Sequence, residues 1–199
     1  MPVELSDRLD ANDAALTARL ACGDFAALTP LFRRHRGPVY RFALLWSGSP
    51  AVAADVTQDV FVHLLTRAAD YDVTRGSLLP WLLGITRNLV HRRAGVDARY
   101  VGNDDDGAIA APTDLLTDTP ETLVTTQRDL IRLQKAIAAL PPHYRDVLVL
   151  VELAERSYAE TATICGCELN TVRSRLFRAR ALLTRWLDPQ RAHVLSAKG

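Results

Sequence analysis

The sequence predicts an all-α protein: two small helical domains joined by a flexible acidic linker, the C-terminal one carrying a helix-turn-helix. Three observations predict it. Apolar residues recur at three- and four-residue spacing through both halves, an aperiodic acidic stretch separates those halves, and Ser157 to Arg180, SYAETATICGCELNTVRSRLFRAR, reads as two short helices joined at a glycine. The boundaries drawn from these patterns are 11–94 for the first domain, 95–118 for the linker, 119–188 for the second domain and 189–199 for a C-terminal tail.

Asp13 to Phe32 opens the first domain, with Leu16, Leu20, Phe25, Leu28, Leu31 and Phe32 on its apolar side and Gly23 interrupting it. Cys22 is expected in the core. Pro38 is suited to the first position of a next helix, PVYRFALLW, which Gly48 to Pro50 ends. Residues 51–69 place Val52, Val56, Val60 and Leu64, with Phe61 beside them, along one side and leave Asp55, Gln58, Asp59 and His63 more exposed. Tyr71 to Gly76 is a polar loop, and Leu78 to His91 then forms a helix that runs into Arg92 and Arg93 before Gly95. Trp81 belongs to the core of that helix rather than to a stacking platform.

The stretch 95–118 lacks periodicity and contains Asp104 to Asp106 among glycines, asparagine and proline, as a linker does. Thr119-Pro120-Glu121 begins the next helix with an N-cap and a proline at its first position, and Leu123, Leu130, Leu133, Ile137 and Leu140 continue it to Pro141. Pro142 opens PHYRDVLVLVELAER, whose apolar run from Val147 to Val151 should be buried. Ser157 and Glu160 form an S-x-x-E capping box for a helix whose apolar side uses Tyr158, Ala162 and Ile164. Gly166 supplies the bend. Beyond it Leu169, Val172, Leu176, Ala179 and Leu183 form an inward stripe, which leaves Asn170, Thr171, Arg173, Ser174, Phe177 and Arg178 largely outside.

Such a face suits the major groove of DNA, because arginine bonds guanine in a bidentate manner or neutralises a phosphate and Phe177 can meet a thymine methyl or a sugar. A solvated basic helix end is the plain alternative. The net charge of +1 does not announce a nucleic-acid partner, but charge is segregated. RNLVHRR, from Arg87 to Arg93, is basic, as is Arg173 to Arg185, whereas Asp97 to Glu121 holds seven acidic residues and one arginine. Basic residues at Arg92 and Arg93 also suit a helix C-terminus electrostatically.

Several function classes are excluded or disfavoured. No apolar run reaches the roughly eighteen residues of a membrane span, and the acidic start MPVELSDRLD is unlike a signal peptide, so a cytoplasmic protein without membrane insertion is expected. Cys165 and Cys167 have no second C-x-x-C or H-x-x-x-H element to complete a tetrahedral shell with His91 or His143, and no metal or other cofactor is expected. Oxidation of the two cysteines would perturb the turn, but buried inert thiols are the better reading. No catalytic residues emerge: paired carboxylates, a Cys-His constellation and a G-x-x-x-x-G-K-[ST] loop are all lacking, and His35, His63 and His143 read as surface or packing residues.

Four blocks in order, FAALTPLFRRHRGPVYRFALLW, ADVTQDVFVHLL, YDVTRGSLLPWLLGITRNLVHRR and LPPHYRDVLVLVELAERSYAETATICGCELNTVRSRLFRARALL, resemble bacterial sigma factors of the extracytoplasmic-function (ECF) group, the short type with only the second and fourth conserved regions. The resemblance covers about Asp24 to Leu187 apart from the linker. It implies that the first domain docks on the clamp helices of the largest subunit of core RNA polymerase through Asp55, Gln58, Asp59, Val60, Phe61 and Leu64. It further implies contact with the flap of the second largest subunit, recognition of promoter DNA, and an anti-sigma partner. By the same resemblance Tyr71, Arg75, Arg87, Asn88, His91, Arg92 and Arg93 meet the −10 element and capture an unpaired base. Asn170, Thr171, Arg173, Ser174, Phe177 and Arg178 read the −35 duplex, while Arg175 and Arg180 hold phosphates or acidic neighbours.

Three positions depart from the family pattern: His91 stands where an acid is frequent, Asn170 where glycine is usual, and Thr161 where an apolar residue is usual. The linker would thread toward the RNA exit path, or serve as a plain spacer. The function expected is a sigma factor directing promoter-specific initiation. The alternative is a stand-alone helix-turn-helix repressor or activator, which a palindromic site bound without polymerase would favour.

Overall fold

In the computed structural model, residues 2–96 and 125–187 are described. The greater part of the linker, the Thr119-Pro120-Glu121 helix start, Leu123 and the tail 189–199 lie outside the described residues.

Four helices build the N-terminal unit: α1 (Pro2–Ala21), α2 (Leu28–Ser47), α3 (Pro50–Arg67) and α4 (Leu78–Arg93). α2, α3 and α4 pack on one another, and α1 lies against them. The sequence explains each junction. Asp24 caps a 3-10 turn over Phe25–Ala27 by accepting the Ala26 N–H, and this turn delivers the chain to α2. Gly48 ends α2 at φ 69°, a left-handed value that glycine adopts without steric cost, and its N–H reaches the Leu44 carbonyl at 2.8 Å. Ser49 then caps α3, with Pro50 at its start. In α3, Ala53, Val56, Val60 and Leu64 follow helical spacing and are fully buried.

A buried cluster fastens α1. Asp13 accepts the His35 Nε2 at 2.7 Å and pairs with Arg34, both on α2, while Thr17 Oγ1 donates to the Asp13 carbonyl at 2.7 Å. Burial of that carboxylate is tolerated because it is paired and hydrogen-bonded.

Three expectations for this half are corrected. The first is Pro38, which lies inside α2 rather than opening a helix. Its ring removes one backbone donor, but Gly37 lacks the Cβ that makes the residue before a proline avoid helical backbone angles. The buried face through Leu31, His35, Val39, Phe42 and Trp46 carries the helix across the break. The second is Cys22, which is exposed just before the left-handed Gly23. The third concerns Phe25 and Phe32, which are exposed to 67% and 36% and so are not core residues.

The C-terminal unit contains α5 (Thr125–Ala139), α6 (Pro142–Leu148), α7 (Tyr158–Cys165) and α8 (Leu169–Leu187). α6 runs directly into a π-helical turn, Val149–Leu153, that the sequence reading did not anticipate. The wider turn ends with the Arg156 N–H on the Leu150 carbonyl at 2.8 Å and with Glu155 at φ 55°. Tyr144, Val147, Leu150, Val172, Leu176 and Ala179 form the fully buried centre, as the apolar run and the α8 stripe predicted. Leu130 and Leu133 differ from expectation and are exposed, whereas Ala136 and Ile137 near the end of α5, and Leu140 just after it, are buried.

The two units are packed together. α4 lies against α7, and α2 against α5 and the π turn. Asp146 of α6 is at the centre of this junction, with 1% of its surface exposed.

Candidate nucleic-acid and polymerase interfaces

The helix-turn-helix is built as its sequence indicates. Ser157 accepts the Glu160 N–H at 3.2 Å, and Glu160 accepts the Ser157 N–H at 2.9 Å, so the capping box is reciprocal. Gly166 caps α7 at φ 64°, and the Cys167 N–H closes the turn on the Ala162 carbonyl at 3.0 Å. α8 buries Val172, Leu176 and Ala179, and this fixes its opposite side outward. On that side Asn170, Arg173, Ser174 and Phe177 are exposed at helical spacing, with Phe177 at 73%. Thr171 and Arg178 flank them and are half-buried. Asn170 Oδ1 accepts from Arg173 Nη1 at 3.4 Å, a weak contact that orients the guanidinium along the face.

Two of the other arginines of α8, Arg175 and Arg180, turn toward the fold. Arg175 is buried, and Arg180 is tied to Glu152 of the π turn, whose hydrogen bond raises the arginine's pKa. Thr161, on the inner side of α7, is fully buried, and among the described residues its hydroxyl oxygen has no hydrogen-bond partner. Cys165 is buried beside it, and hydrogen bonding with Cys167, followed by burial, pushes its thiol far above the ordinary range and leaves it protonated.

In the N-terminal unit, Tyr71, Arg75, Trp81 and Asn88 line a cavity of about 560 Å³. The loop is rigidified from within: Tyr71 donates to the Gly76 carbonyl at 2.9 Å, and Asp72 caps the turn by accepting the Thr74 N–H at 2.9 Å. Burial, followed by the nearby acids Asp10, Asp13 and Asp72, raises the Tyr71 pKa, so its hydroxyl stays protonated. The Tyr71 and Trp81 rings are 5.7 Å apart, at the edge of the cavity rather than in the deep core. Arg75, Asn88, Arg92 and Arg93 are exposed.

Arg87 and His91 are placed differently from their neighbours. Arg87 Nε donates to Asp146 Oδ2 at 2.6 Å, and His91 Nε2 lies 2.8 Å from Asp146 Oδ1. Both side chains are buried in the junction with the C-terminal unit, so the geometry groups them with Asp146 and not with the exposed basic residues. Burial works against the Arg87 charge, but the adjacent carboxylate outweighs it and raises the arginine's pKa. Burial likewise pushes the Asp146 carboxyl upward, and the bond from His91 together with the charge and bond of Arg87 brings it below its ordinary value.

Asp146 is the residue the sequence reading missed. A signal existed: in HYRDVLVLV it shares a helical face with His143, Val147 and Leu150, so it is an acid on an apolar stripe.

The third group divides as well. Asp55 and Gln58 are exposed on α3 and Asp59 is partly so, whereas Val60, Phe61 and Leu64 are buried and belong to the core. Phe61 meets Phe32 edge to face at 4.8 Å, and Arg36 lies 5.7 Å from the Phe32 ring, so Phe32 supplies apolar surface in place of Phe61.

Comparison with known proteins agrees with this geometry. The model "Sigma-70 region 2" matches residues 31–99, and "Sigma-70, region 4" matches residues 130–183. Across 189 residues the chain is 34% identical to the ECF RNA polymerase sigma factor SigM of Mycobacterium tuberculosis, covering 93% of this chain and 89% of that one. It is 30% identical over 187 residues to the probable RNA polymerase sigma-C factor of Mycobacterium bovis, covering 89% of this chain and 94% of the relative. It is also 34% identical to SigE of Mycolicibacterium smegmatis over 84% of its own length, but spans only 65% of that longer protein. The fold is that of CnrH, solved in complex with the cytosolic domain of CnrY, with a TM-score of 0.65 at 24% identity over 90% of this chain and 99% of that one. RpoE from Bartonella quintana, in complex with the anti-sigma factor NepR, gives a TM-score of 0.58 at 23% identity over 81% of this chain and 97% of the other. With both sigma regions matched and a relative 34% identical over most of both chains, the chain belongs to the extracytoplasmic-function sigma factors, initiation factors that direct RNA polymerase to promoters.

Proposed function

We propose that the chain binds core RNA polymerase, recognises a −35 element through Asn170, Thr171, Arg173, Ser174, Phe177 and Arg178, and meets the −10 element through its N-terminal unit. The observation that carries this reading is the outward face of α8, where exposed Asn170, Arg173, Ser174 and Phe177 lie opposite a fully buried stripe. Arginine and asparagine discriminate base edges, and Phe177 contributes an apolar contact to a methyl group or sugar. The unpaired base of the −10 strand enters the cavity beside Tyr71, Trp81 and Asn88, with Arg75, Arg92 and Arg93 along the backbone. Asp55, Gln58 and Asp59 meet the clamp helices of the largest polymerase subunit, with Phe32 as the adjacent apolar group.

The units doing this work are 11–94 and 119–188, joined by 95–118, and the C-terminal unit also reaches the flap of the second largest subunit. Because CnrH and RpoE were solved with CnrY and NepR respectively, we assign an anti-sigma protein as a further partner. The work takes place in the cytoplasm, where polymerase and DNA are.

The test is transcription of a genomic fragment library by purified core polymerase with and without the protein, read by sequencing the transcript starts. A set of new starts sharing two spaced elements is expected, and it should vanish with Arg173→Ala plus Phe177→Ala. Duplex binding without any polymerase-dependent start would overturn the proposal.

A further inference from the structure

An aromatic row continues the cavity of the N-terminal unit outward. Tyr71 and Trp81 line the cavity with their ring centroids 5.7 Å apart, and the His63 imidazole, on α3, lies 6.1 Å from the same indole. The rings are inclined to the indole by 57° and 50°, so neither neighbour lies flat against it. Tyr71 and Trp81 are half-buried and His63 is exposed, which leads the row from the cavity to open solvent. Arg67 stands one turn further along α3, on the same helical face as His63. Its ion pair with Asp70 is 3.6 Å long, between side chains 64% and 55% exposed, and is too loose to withhold the guanidinium from a phosphate.

Taking the cavity as the place of the captured −10 base, a step that rests on the proposed function, we propose that His63 and Arg67 form a second nucleotide subsite. The base next to the captured one stacks on the His63 imidazole, and its phosphate meets Arg67. A base turned out of the strand leaves its neighbour with one bare face, and losing that stacking is part of the cost of extrusion. A ring beside the cavity covers the bare face and offsets some of that cost. Sites for unpaired strands combine such rings with cations, and both are present here within one turn of α3. Contact with Trp81 restrains the imidazole before the strand arrives, so less side-chain freedom is lost on binding than at an isolated surface residue. Every base has a flat face, so this subsite accepts any unpaired nucleotide. It holds the opened strand, whereas the cavity beside it discriminates among bases.

The test uses the full chain assembled with core polymerase on a fork-junction DNA that carries one of its promoters. A fluorescent purine analogue replaces each unpaired non-template base in turn, and stacking on a protein ring is read as quenching. Two adjacent quenched positions are expected. His63→Ala should restore emission at one of them and weaken fork binding about tenfold, while the other position stays dark and the melting temperature holds. His63→Phe keeps a flat ring and should return both the quenching and the affinity. Arg67→Gln should leave both positions dark and make the slope of log affinity against log salt shallower by about 0.7, the share of one single-strand phosphate. Quenching at a single position, a second dark position indifferent to His63→Ala, or a salt slope unmoved by Arg67→Gln overturns the subsite. Quenching at no position would instead count against the −10 reading on which the subsite rests.

Discussion

Arg93 Nη2, at the end of α4, donates to Asp59 Oδ2 on α3 at 2.7 Å, so a basic residue assigned to the −10 strand is neutralised by an acid assigned to polymerase docking. Both side chains are substantially exposed, and such a pair contributes only about 0–1 kcal/mol to stability. Asp59→Asn should therefore leave the denaturant midpoint nearly unchanged. It should weaken polymerase binding and tighten binding of single-stranded DNA to the free protein, because Arg93 is released. Opposite shifts in those two titrations would verify the shared role of Asp59, whereas parallel shifts would contradict it.

Acid should open the junction. The Asp146 carboxyl is held below its ordinary value of 3.8, so the bonds it makes contribute fully above that value and are lost as pH falls through the lower value of the packed state. Arg87, His91, Arg145 and Cys165 face or adjoin it and set its surroundings. Scattering recorded across an acid titration should show compactness retained down to the ordinary carboxylate range and lost beneath it. Asp146→Asn should remove this acid-linked component, which separates it from the titration of other carboxylates.

Thr161 is a polar misfit in an apolar site. Its hydroxyl oxygen is buried without a partner among the described residues, and valine has nearly its shape. Thr161→Val should stabilise the C-terminal unit by about 1 kcal/mol. Chemical denaturation checks the gain, and duplex binding should not change, since Thr161 faces inward.

Two arginines of α8 should fail in different ways. Arg173 is exposed, so Arg173→Ala should cost about 1–3 kcal/mol in binding of a cognate −35 duplex while leaving the melting temperature in place. Arg175 is buried, and Arg175→Ala should lower the melting temperature first. Equal effects of the two substitutions on both measurements would refute the division of α8 into a reading face and a packing face.

Legibility followed the range of the interaction. The Ser157–Glu160 box, the left-handed Gly166 and the Val172-Leu176-Ala179 stripe are local, and each was readable from a few adjacent letters. α2 was cut too early because Pro38 is a strong local signal that the buried face and the permissive Gly37 override. Val60, Phe61 and Leu64 were assigned to a docking surface by family resemblance, although Val60 and Leu64 already lay on the stripe that the helical period places inside. The burial of Arg87 and His91 had no local signature at all, since their acceptor is more than fifty residues away and in the other unit. The π turn after Leu148 was equally silent, because VLVEL has the apolar character of an ordinary buried helix.

Trp46 sits where the two units touch, with its indole N–H on Asp146, the Arg145 guanidinium against its ring and the His91 ring 5.0 Å away. The other two tryptophans are placed differently: Trp81 is at the −10 cavity and Trp186 is buried near the end of α8. Separation of the units would wet the Trp46 indole and strip it of the Asp146 carboxylate and the Arg145 guanidinium, changing the colour and yield of its emission. The chain thus carries an unlabelled optical gauge, and stopped-flow fluorescence on mixing with core polymerase could time the parting of its two halves against the first contact with a promoter.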